Sequence, residues 1–203
     1  MPYSNFFTFV IAILISLSVH EAAHALVASL LGDNTAKDKG RVTLDPRKHL
    51  DLYGSLMFLF AGIGWGKPVP VNQAYFKHPK RDSAIVALAG PASNFFLALI
   101  VGTLAKSTDL SIDNFLYFLV DINIALCAFN LIPIPPLDGA KILGLVVPHY
   151  QFYKYTQFLH SHLAYILMFF FIDIQFLGKS GNSIFLNFIG IVSSLLKALI
   201  FFN

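Results

Sequence analysis

Charged side chains are scarce in this chain of 203 residues: they make up 12% of it, whereas hydrophobic residues make up 56%. An ordinary soluble domain is about 25% charged and roughly 45–50% apolar. The scarcity of charge therefore excludes an ordinary soluble protein and predicts an integral membrane protein. A single cysteine, Cys127, excludes an internal disulfide. The net charge of +3 is modest and clustered, which gives no reason to expect a nucleic-acid partner.

Glutamate is rarer still, because Glu21 is the only one in the chain. It stands in the motif HEAAH between His20 and His24, inside an apolar run over 6–31 that has no other charged side chain. A charge in hydrocarbon costs at least about 2.5–3.5 kcal/mol, so ionisable residues inside a membrane indicate a functional site. The alternative is a buried polar cluster that only holds helices together.

The apolar runs predict the membrane topology. A spanning helix needs about 20 mostly apolar residues. The runs that qualify are 5–31, 84–105, 115–134, 152–172 and 183–202. A sixth run, 54–64, is too short to cross comfortably, and its glycines fit a re-entrant or interfacial segment.

Basic residues indicate which way these spans point. Lys and Arg are concentrated in 32–83 and 135–155, whereas the opposite loops hold only Lys106 and Lys179. The positive-inside rule then places the two basic regions in the cytoplasm, at the inner face of a cell membrane. The sequence thus predicts an all-α polytopic membrane protein with about five to six transmembrane helices and short cytoplasmic-side β segments, at 41–45 and 67–72.

The HEAAH motif predicts a metal site. Residues four apart lie on one face of a helix, so His20 and His24 can bind one ion while Glu21 reaches a water beside it. This is the arrangement of zinc hydrolases, which add a third protein ligand and keep one position open. Asp138 follows a proline-rich, non-helical stretch at the same cytoplasmic end. Asp121 is the rival third ligand, although it lies in mid-span.

Five motifs together resemble the site-2 protease family of intramembrane zinc metalloproteases, in its small prokaryotic branch without PDZ or CBS domains. The motifs are HEAAHALVA at 20–28, GRVTLDPRKHLDLYG at 40–54, GWGKPVPVN at 64–72, ALAGPASN at 87–94 and FNLIPIPPLDGAKIL at 129–143. The resemblance covers most of the chain, from about residue 5 to about residue 150.

The resemblance implies a role for each matching residue. His20, His24 and Asp138 match the ligands of Zn²⁺, and Glu21 matches the catalytic glutamate. Asn130 matches an asparagine that helps to stabilise the oxyanion or to hold the substrate. The expected reaction is hydrolysis of a peptide bond within or near a transmembrane segment of another protein, with water activated by zinc and with Glu21 as general base.

The resemblance also implies a single membrane-embedded domain over 1–203. Its catalytic core, at about 5–143, contains three helices, and 152–203 supplies accessory transmembrane helices. One of the extended pieces at 41–45 and 67–72 is expected to hold an unwound substrate by strand addition. Asn94 is expected to pack across the core or to support the metal site.

Three other functions remain as alternatives. A zinc enzyme with a glutamate as third ligand is disfavoured, because Glu21 is the only glutamate. A non-enzymatic membrane binder that keeps a structural metal would have no use for the base. A small transporter with a buried proton relay would show no metal dependence.

Overall fold

The computed structural model describes residues 3–61, 64–107 and 113–201. These residues are mainly helical and contain no sheet, which confirms the all-α fold class. The helices are α1 (Tyr3–Leu30), α2 (Thr35–Asp38), α3 (Leu52–Ala61), α4 (Pro79–Ser107), α5 (Asp113–Asn130), α6 (Gly139–Ile142), α7 (His149–Ser161), α8 (Leu163–Ile172) and α9 (Ile184–Phe201).

The centre of the fold is a bundle in which α1, α4 and α5 pack on one another. Ala12 of α1, Ala98 of α4 and Val120 of α5 are fully buried in a shared apolar cluster. Small residues let helices approach closely, and close approach is what holds helices together where lipid removes the hydrophobic driving force. The end of this bundle at which α1 ends, α4 begins and α5 ends is called the site end below.

Three helices are long and apolar enough to cross a membrane: Phe6–Leu30, Pro79–Ser107 and Leu163–Ser180. Two further apolar helices, Phe115–Asn130 and Ile184–Ile200, are shorter. At 1.5 Å per residue, each of these shorter helices extends for roughly 25 Å, against a hydrocarbon core of about 30 Å. The chain is a membrane protein, and its count of five to six crossings stays a prediction.

The predicted span at 152–172 is not one helix, and its position needs correction. The helix α7 ends at Ser161, and α8 begins at Leu163. The long apolar helix continues instead through a π-helical turn at Asp173–Leu177 to Ser180. The aromatic rings of α7 were counted as apolar although they alternate with polar residues, so the sequence placed the start of the span too early.

The direction of α9 also differs from the prediction. The ring of Phe185, near the start of α9, lies 5.7 Å from the ring of Phe129, near the end of α5. Farther along α9, Lys197 pairs with Asp121, and Ile200 packs in the central apolar cluster. The helix therefore begins at the site end and runs antiparallel to α5. The loop before α9 contains a single lysine, Lys179, and one charge was too weak a signal to predict the direction of the helix.

The apolar segment at 54–64 folds back on itself. Leu50 and Gly66 form an antiparallel bridge, so the chain returns to the place where it left. Between them, the ring of Phe58 in α3 stacks on Phe9 of α1 at a centroid distance of 5.6 Å. The segment therefore packs alongside α1 and comes back, while its re-entrant or interfacial position in the membrane stays a prediction. Residues 62 and 63 lie outside the described residues.

The predicted β segments at 41–45 and 67–72 need correction, because neither forms a strand in the described part of the chain. The bridge between Leu50 and Gly66 is the one isolated β-pairing in that part. Pro68 and Pro70 explain the missing ladder, since proline has no N–H to donate. Residues 67–72 nevertheless run without helix, with Val71 packed against the cluster of Ala28 and Val86 at the site end, and are called the strap below.

Candidate active site

Two histidines of α1 form the first half of the site. His20 and His24 are one helical turn apart, and both are buried, with 5% and 7% of their surfaces exposed. Their Nε2 atoms lie 3.0 Å apart, and their rings meet edge to face. The helix thus aims two ring nitrogens at one point, as the sequence predicted.

Asp138 completes a three-residue cluster with these histidines. Its Oδ2 lies 3.2 Å from the Nε2 of His20 and 3.2 Å from that of His24. It stands in the turn between α5 and α6, and Gly139 makes this turn possible. A Cβ on Gly139 would collide with the carbonyl oxygens of Leu131 and Ile132. Glycine therefore lets the turn close against the end of α5, and this places the carboxylate.

The hydrogen bonds behind the histidines determine which ring nitrogens carry protons. The Nδ1 of His20 lies 2.7 Å from Asn94 Oδ1, and that of His24 lies 2.7 Å from the carbonyl oxygen of Val86. Both partners can only accept, because the amide nitrogen of Asn94 donates elsewhere. In the neutral rings, therefore, Nδ1 donates and Nε2 presents a lone pair to the cluster.

Three lone pairs then converge with no proton between them, which is the arrangement that binds a cation. Asp138 Oδ2 is buried and has no hydrogen-bond partner in the described residues. Zinc binds nitrogen and oxygen at about 2.0–2.2 Å, and tetrahedral angles then separate the ligand atoms by roughly 3.3 Å. The separations of 3.0–3.2 Å here come close to that value. The donor set and its geometry fit zinc.

Of the other residues predicted for the site, two line the cavity and one lies away from the cluster. Glu21 and Asn130 line the same cavity as His20, His24 and Asp138. The amide of Asn130 donates to the carbonyl of Leu126 within α5. Asp121, the rival third ligand, lies away from the cluster and forms an ion pair with Lys197 at 2.8 Å. The geometry therefore favours Asp138 over Asp121.

Comparison with known proteins gives the family. The model of Peptidase family M50 matches residues 8–108 and 102–173. The chain belongs to this family. It is the site-2 protease family that the sequence motifs resemble. No solved structure matches the chain significantly.

Curated relatives agree with this assignment. A Bacillus subtilis protein named "Putative zinc metalloprotease YwhC" is 43% identical over 170 residues, which are 77% of this chain and 74% of that protein. A Mycobacterium tuberculosis protein named "Putative zinc metalloprotease Rip2" is 35% identical over 157 residues, which are 70% of this chain and 59% of that protein. The M50 chain is thus a zinc metalloprotease with Zn²⁺ as its cofactor, as predicted.

Asn94 contacts the histidine pair of this M50 protease directly. It is fully buried in α4, and its Oδ1 accepts from His20 Nδ1. Its amide nitrogen donates to the backbone carbonyl of Ser16 at 3.1 Å and to Asn123 Oδ1 at 2.8 Å. Metal-binding histidines are commonly oriented in this way by a partner on the far ring nitrogen. The contacts show that Asn94 packs across the core and holds His20 from behind, while its support of a bound metal stays a prediction.

Asn123 and Ser16 extend this network, and sequence reasoning did not single them out. Asn123 of α5 donates to Ser16 Oγ and to the carbonyl of Leu119, each at 2.8 Å. Ser16 in turn donates to the carbonyl of Ala12. The network joins α1, α4 and α5 and fixes the amide orientation of Asn94. The sequence signal that could have indicated this network is that Ser16, Asn94 and Asn123 are polar residues at similar depth in three apolar helices.

Replacing Asn94 with leucine is expected to weaken zinc binding by roughly 10–100-fold, the usual cost of losing such a partner. The reason is that His20 would lose the acceptor that holds its tautomer and ring orientation. Zinc affinity should be measured by competition with a chelator. Ser93→Ala is the matched control, because Ser93 bonds only the carbonyl of Gly90 in its own helix. Equal zinc affinity in Asn94→Leu and wild type would contradict this role.

Gly90 brings α4 against the histidine pair. A Cβ at this position would lie 2.6 Å from His20 Nε2 and would also collide with His24 Nε2. Real Cβ atoms do not approach other atoms so closely. Glycine is therefore the residue that lets α4 cover the metal-binding nitrogens on one side.

A cavity of about 520 Å³ opens in front of the cluster. Apolar residues of α1, α4 and α5 form its inner wall, and the strap together with Trp65 and Gly66 forms another part. The apolar wall includes Leu17, Val86, Ala87, Leu126 and Phe129. The protease thus has a mainly apolar pocket that also contains the cluster of His20, His24 and Asp138.

Buried polar residues of the loop after α1 hold the strap in place. The backbone N–H of Lys67 donates to the carbonyl of His49 at 2.7 Å, and that of Asn72 donates to Asp33 Oδ2 at 2.6 Å. Burial alone would raise the pKa of Asp33, but hydrogen bonds from Thr35 and Asn72 hold it below its ordinary value. Asp33 therefore stays ionised at neutral pH and fastens the far end of the strap.

Proposed function

We propose that this M50 protease cleaves a peptide bond within or near a transmembrane segment of another membrane protein. The observation that carries the proposal is the position of the cluster formed by His20, His24 and Asp138. It lies among apolar helices, and Glu21 lies beside it in the same cavity. Soluble substrates would not need a site built into such helices.

The proposed roles follow from the chemistry of the residues. When bound, zinc supplies a Lewis acid that activates water and stabilises negative charge on the carbonyl oxygen. Glu21 accepts the proton from the attacking water and delivers it to the leaving amine. The Asn130 side chain supplies an amide donor toward the developing oxyanion. His20, His24 and Asp138 hold the metal, and Asn94 keeps His20 oriented.

The strap is the proposed contact for an unwound substrate. A helix hides its carbonyl groups in its own hydrogen bonds, so a transmembrane substrate has to unwind and needs new backbone partners in a water-poor place. Pro68 and Pro70 leave Val69 and Val71 as the N–H donors of the central strap. Such alternation is typical of an edge that pairs on one side only. Strand addition at this edge would present the substrate to the cluster.

Basic residues support an orientation with the site facing the cytoplasm, in a cell membrane. The site end carries most of the fourteen Lys and Arg residues. It includes Lys179, because the start of α9 lies there. Lys106 stands at the opposite end, in the last turn of α4. This asymmetry is the one that the positive-inside rule associates with a cytoplasmic face.

The proposal is tested with purified protein in liposomes that also contain a model single-span substrate. We expect one zinc per chain and cleavage within or near the span. Removal of zinc by a chelator should abolish cleavage, and added zinc should restore it. Cleavage of an unstructured soluble protein at a similar rate would argue against specificity for membrane segments. Bound zinc without cleavage of several such spans would favour a non-enzymatic binder.

A further inference from the structure

The loop after α1 holds a buried cation that the proposed chemistry does not use. Arg41 is only 4% exposed. Its Nη1 donates to the carbonyl of Pro68 at 3.0 Å and its Nη2 to that of Lys67 at 2.5 Å. The same Nη2 lies 3.9 Å from Glu21 Oε2. One guanidinium therefore touches both the strap and the carboxylate in the cavity.

The chemistry of the strap explains why an arginine serves here. Pro68 cannot donate a backbone hydrogen bond, so its backbone can be held only through its carbonyl oxygen, and the carbonyl oxygen of Lys67 beside it is also free of the N–H contact to His49. Arginine offers five donors in a rigid planar fork, whereas lysine is a compact point charge. A single guanidinium can thus bind two neighbouring carbonyls and still face a carboxylate.

The charge on Arg41 also requires a partner. A buried cation is costly unless it is paired and hydrogen-bonded. Glu21 is the acidic partner that the described residues provide for it within 4 Å. Two other hydrogen bonds hold the strap, from Lys67 N–H to the carbonyl of His49 and from Asn72 N–H to Asp33 Oδ2, and neither involves Glu21. Arg41 is therefore the contact that links the strap to this carboxylate.

We propose that Arg41 is a positioning residue that fixes the spacing between the strap and Glu21. A substrate paired with the strap is thereby held in register with the carboxylate that moves the proton. This inference rests on the proposed function, because it takes Glu21 as the base and the strap as the substrate contact. It adds a role for Arg41, the first of the two arginines in GRVTLDPRKHLD.

The test replaces Arg41 with glutamine in the full-length protein. We expect zinc content to stay at the wild-type level and kcat on the model single-span substrate to fall by roughly 100-fold, which a misplacement of about 1 Å can cause. The change in KM should be much smaller than the change in kcat. Hydrogen–deuterium exchange of 67–72 should become faster. Arg47→Gln is the matched control, because Arg47 is 86% exposed and pairs with Asp45 in the same loop.

A second variant separates the guanidinium group from general damage to the loop. Arg41→Gly should be partly restored by added methylguanidinium, whereas Arg41→Lys should remain well below wild type. The inference is overturned if Arg41→Gln keeps kcat within about twofold, or if it loses zinc together with activity. Glu21→Gln is assayed in parallel. If Glu21→Gln cleaves at the wild-type rate, the proposed role of Glu21 as base fails; if only Arg41→Gln cleaves at the wild-type rate, the inference alone fails.

Discussion

Glutamine in place of Glu21 is expected to lower the cleavage rate by about 10²–10⁴-fold, the usual contribution of a general acid–base group. Glutamine keeps the shape of the side chain but cannot take up a proton from water. Zinc should stay bound, because the three converging atoms belong to His20, His24 and Asp138. The measurement is cleavage of a single-span substrate beside the zinc content of the same preparation.

Asp38→Asn is the matched control for this substitution. It makes the same carboxylate-to-amide change in the short helix α2, at an exposed position that does not line the cavity. It should keep both zinc and cleavage. Undiminished cleavage by Glu21→Gln would rule out Glu21 as the base. Loss of zinc in that variant would instead show that Glu21 takes part in metal binding.

Alanine in place of Gly90 is expected to remove zinc from the site and to abolish cleavage. The added Cβ would lie 2.6 Å from His20 Nε2, at the face that binds the metal. The rings cannot retreat, because Asn94 and the carbonyl of Val86 hold them from behind. We expect zinc affinity to fall by more than the roughly 10–100-fold that loss of a supporting contact costs.

A harmful effect of alanine in place of glycine is unusual in the middle of a helix. Glycine in the middle of a helix is less stable than alanine by roughly 0.5–1 kcal/mol, so Gly→Ala normally stabilises. Gly190→Ala tests the ordinary case, since nothing lies within 4 Å of a Cβ built at that position in α9. It should keep zinc and activity. A Gly90→Ala protein with full zinc occupancy would show that the histidines can move aside.

The meeting of His20, His24 and Asp138 could be predicted because their signals are local. The spacing of His20 and His24 fixes a shared helix face whatever the rest of the fold does. The prolines before Asp138 predict an irregular turn without knowledge of its surroundings. The depth in the membrane of the histidine helix and of the turn with Asp138 had to be inferred, and it was inferred from the positions of the predicted spans.

Of the residues behind the site, only Asn94 was expected from the sequence, and its partners were not, because they depend on how helices are rotated against one another. Asn94, Asn123 and Ser16 lie on three different helices, and their contacts follow from packing that spacing does not encode. Arg41 was missed for the same reason, since its partners at 67–68 are distant in sequence.

Membrane topology after residue 150 was the weakest part of the prediction. A single residue, Lys179, marked the loop before α9, and one charge does not determine orientation. The ring contact between Phe129 and Phe185 places the start of α9 at the site end instead. The break near His162 had no glycine or proline to announce it.

The ion pair between Asp121 and Lys197 has a consequence for how the chain is assembled. Lys197 would enter hydrocarbon alone, at a cost of at least about 2.5–3.5 kcal/mol, unless its partner already stood there. Asp121 lies in α5, which is synthesised before α9. The two charges, 2.8 Å apart, therefore give α9 an acidic partner on a helix that is synthesised earlier, and we expect α9 to enter the membrane more readily once α5 is in place.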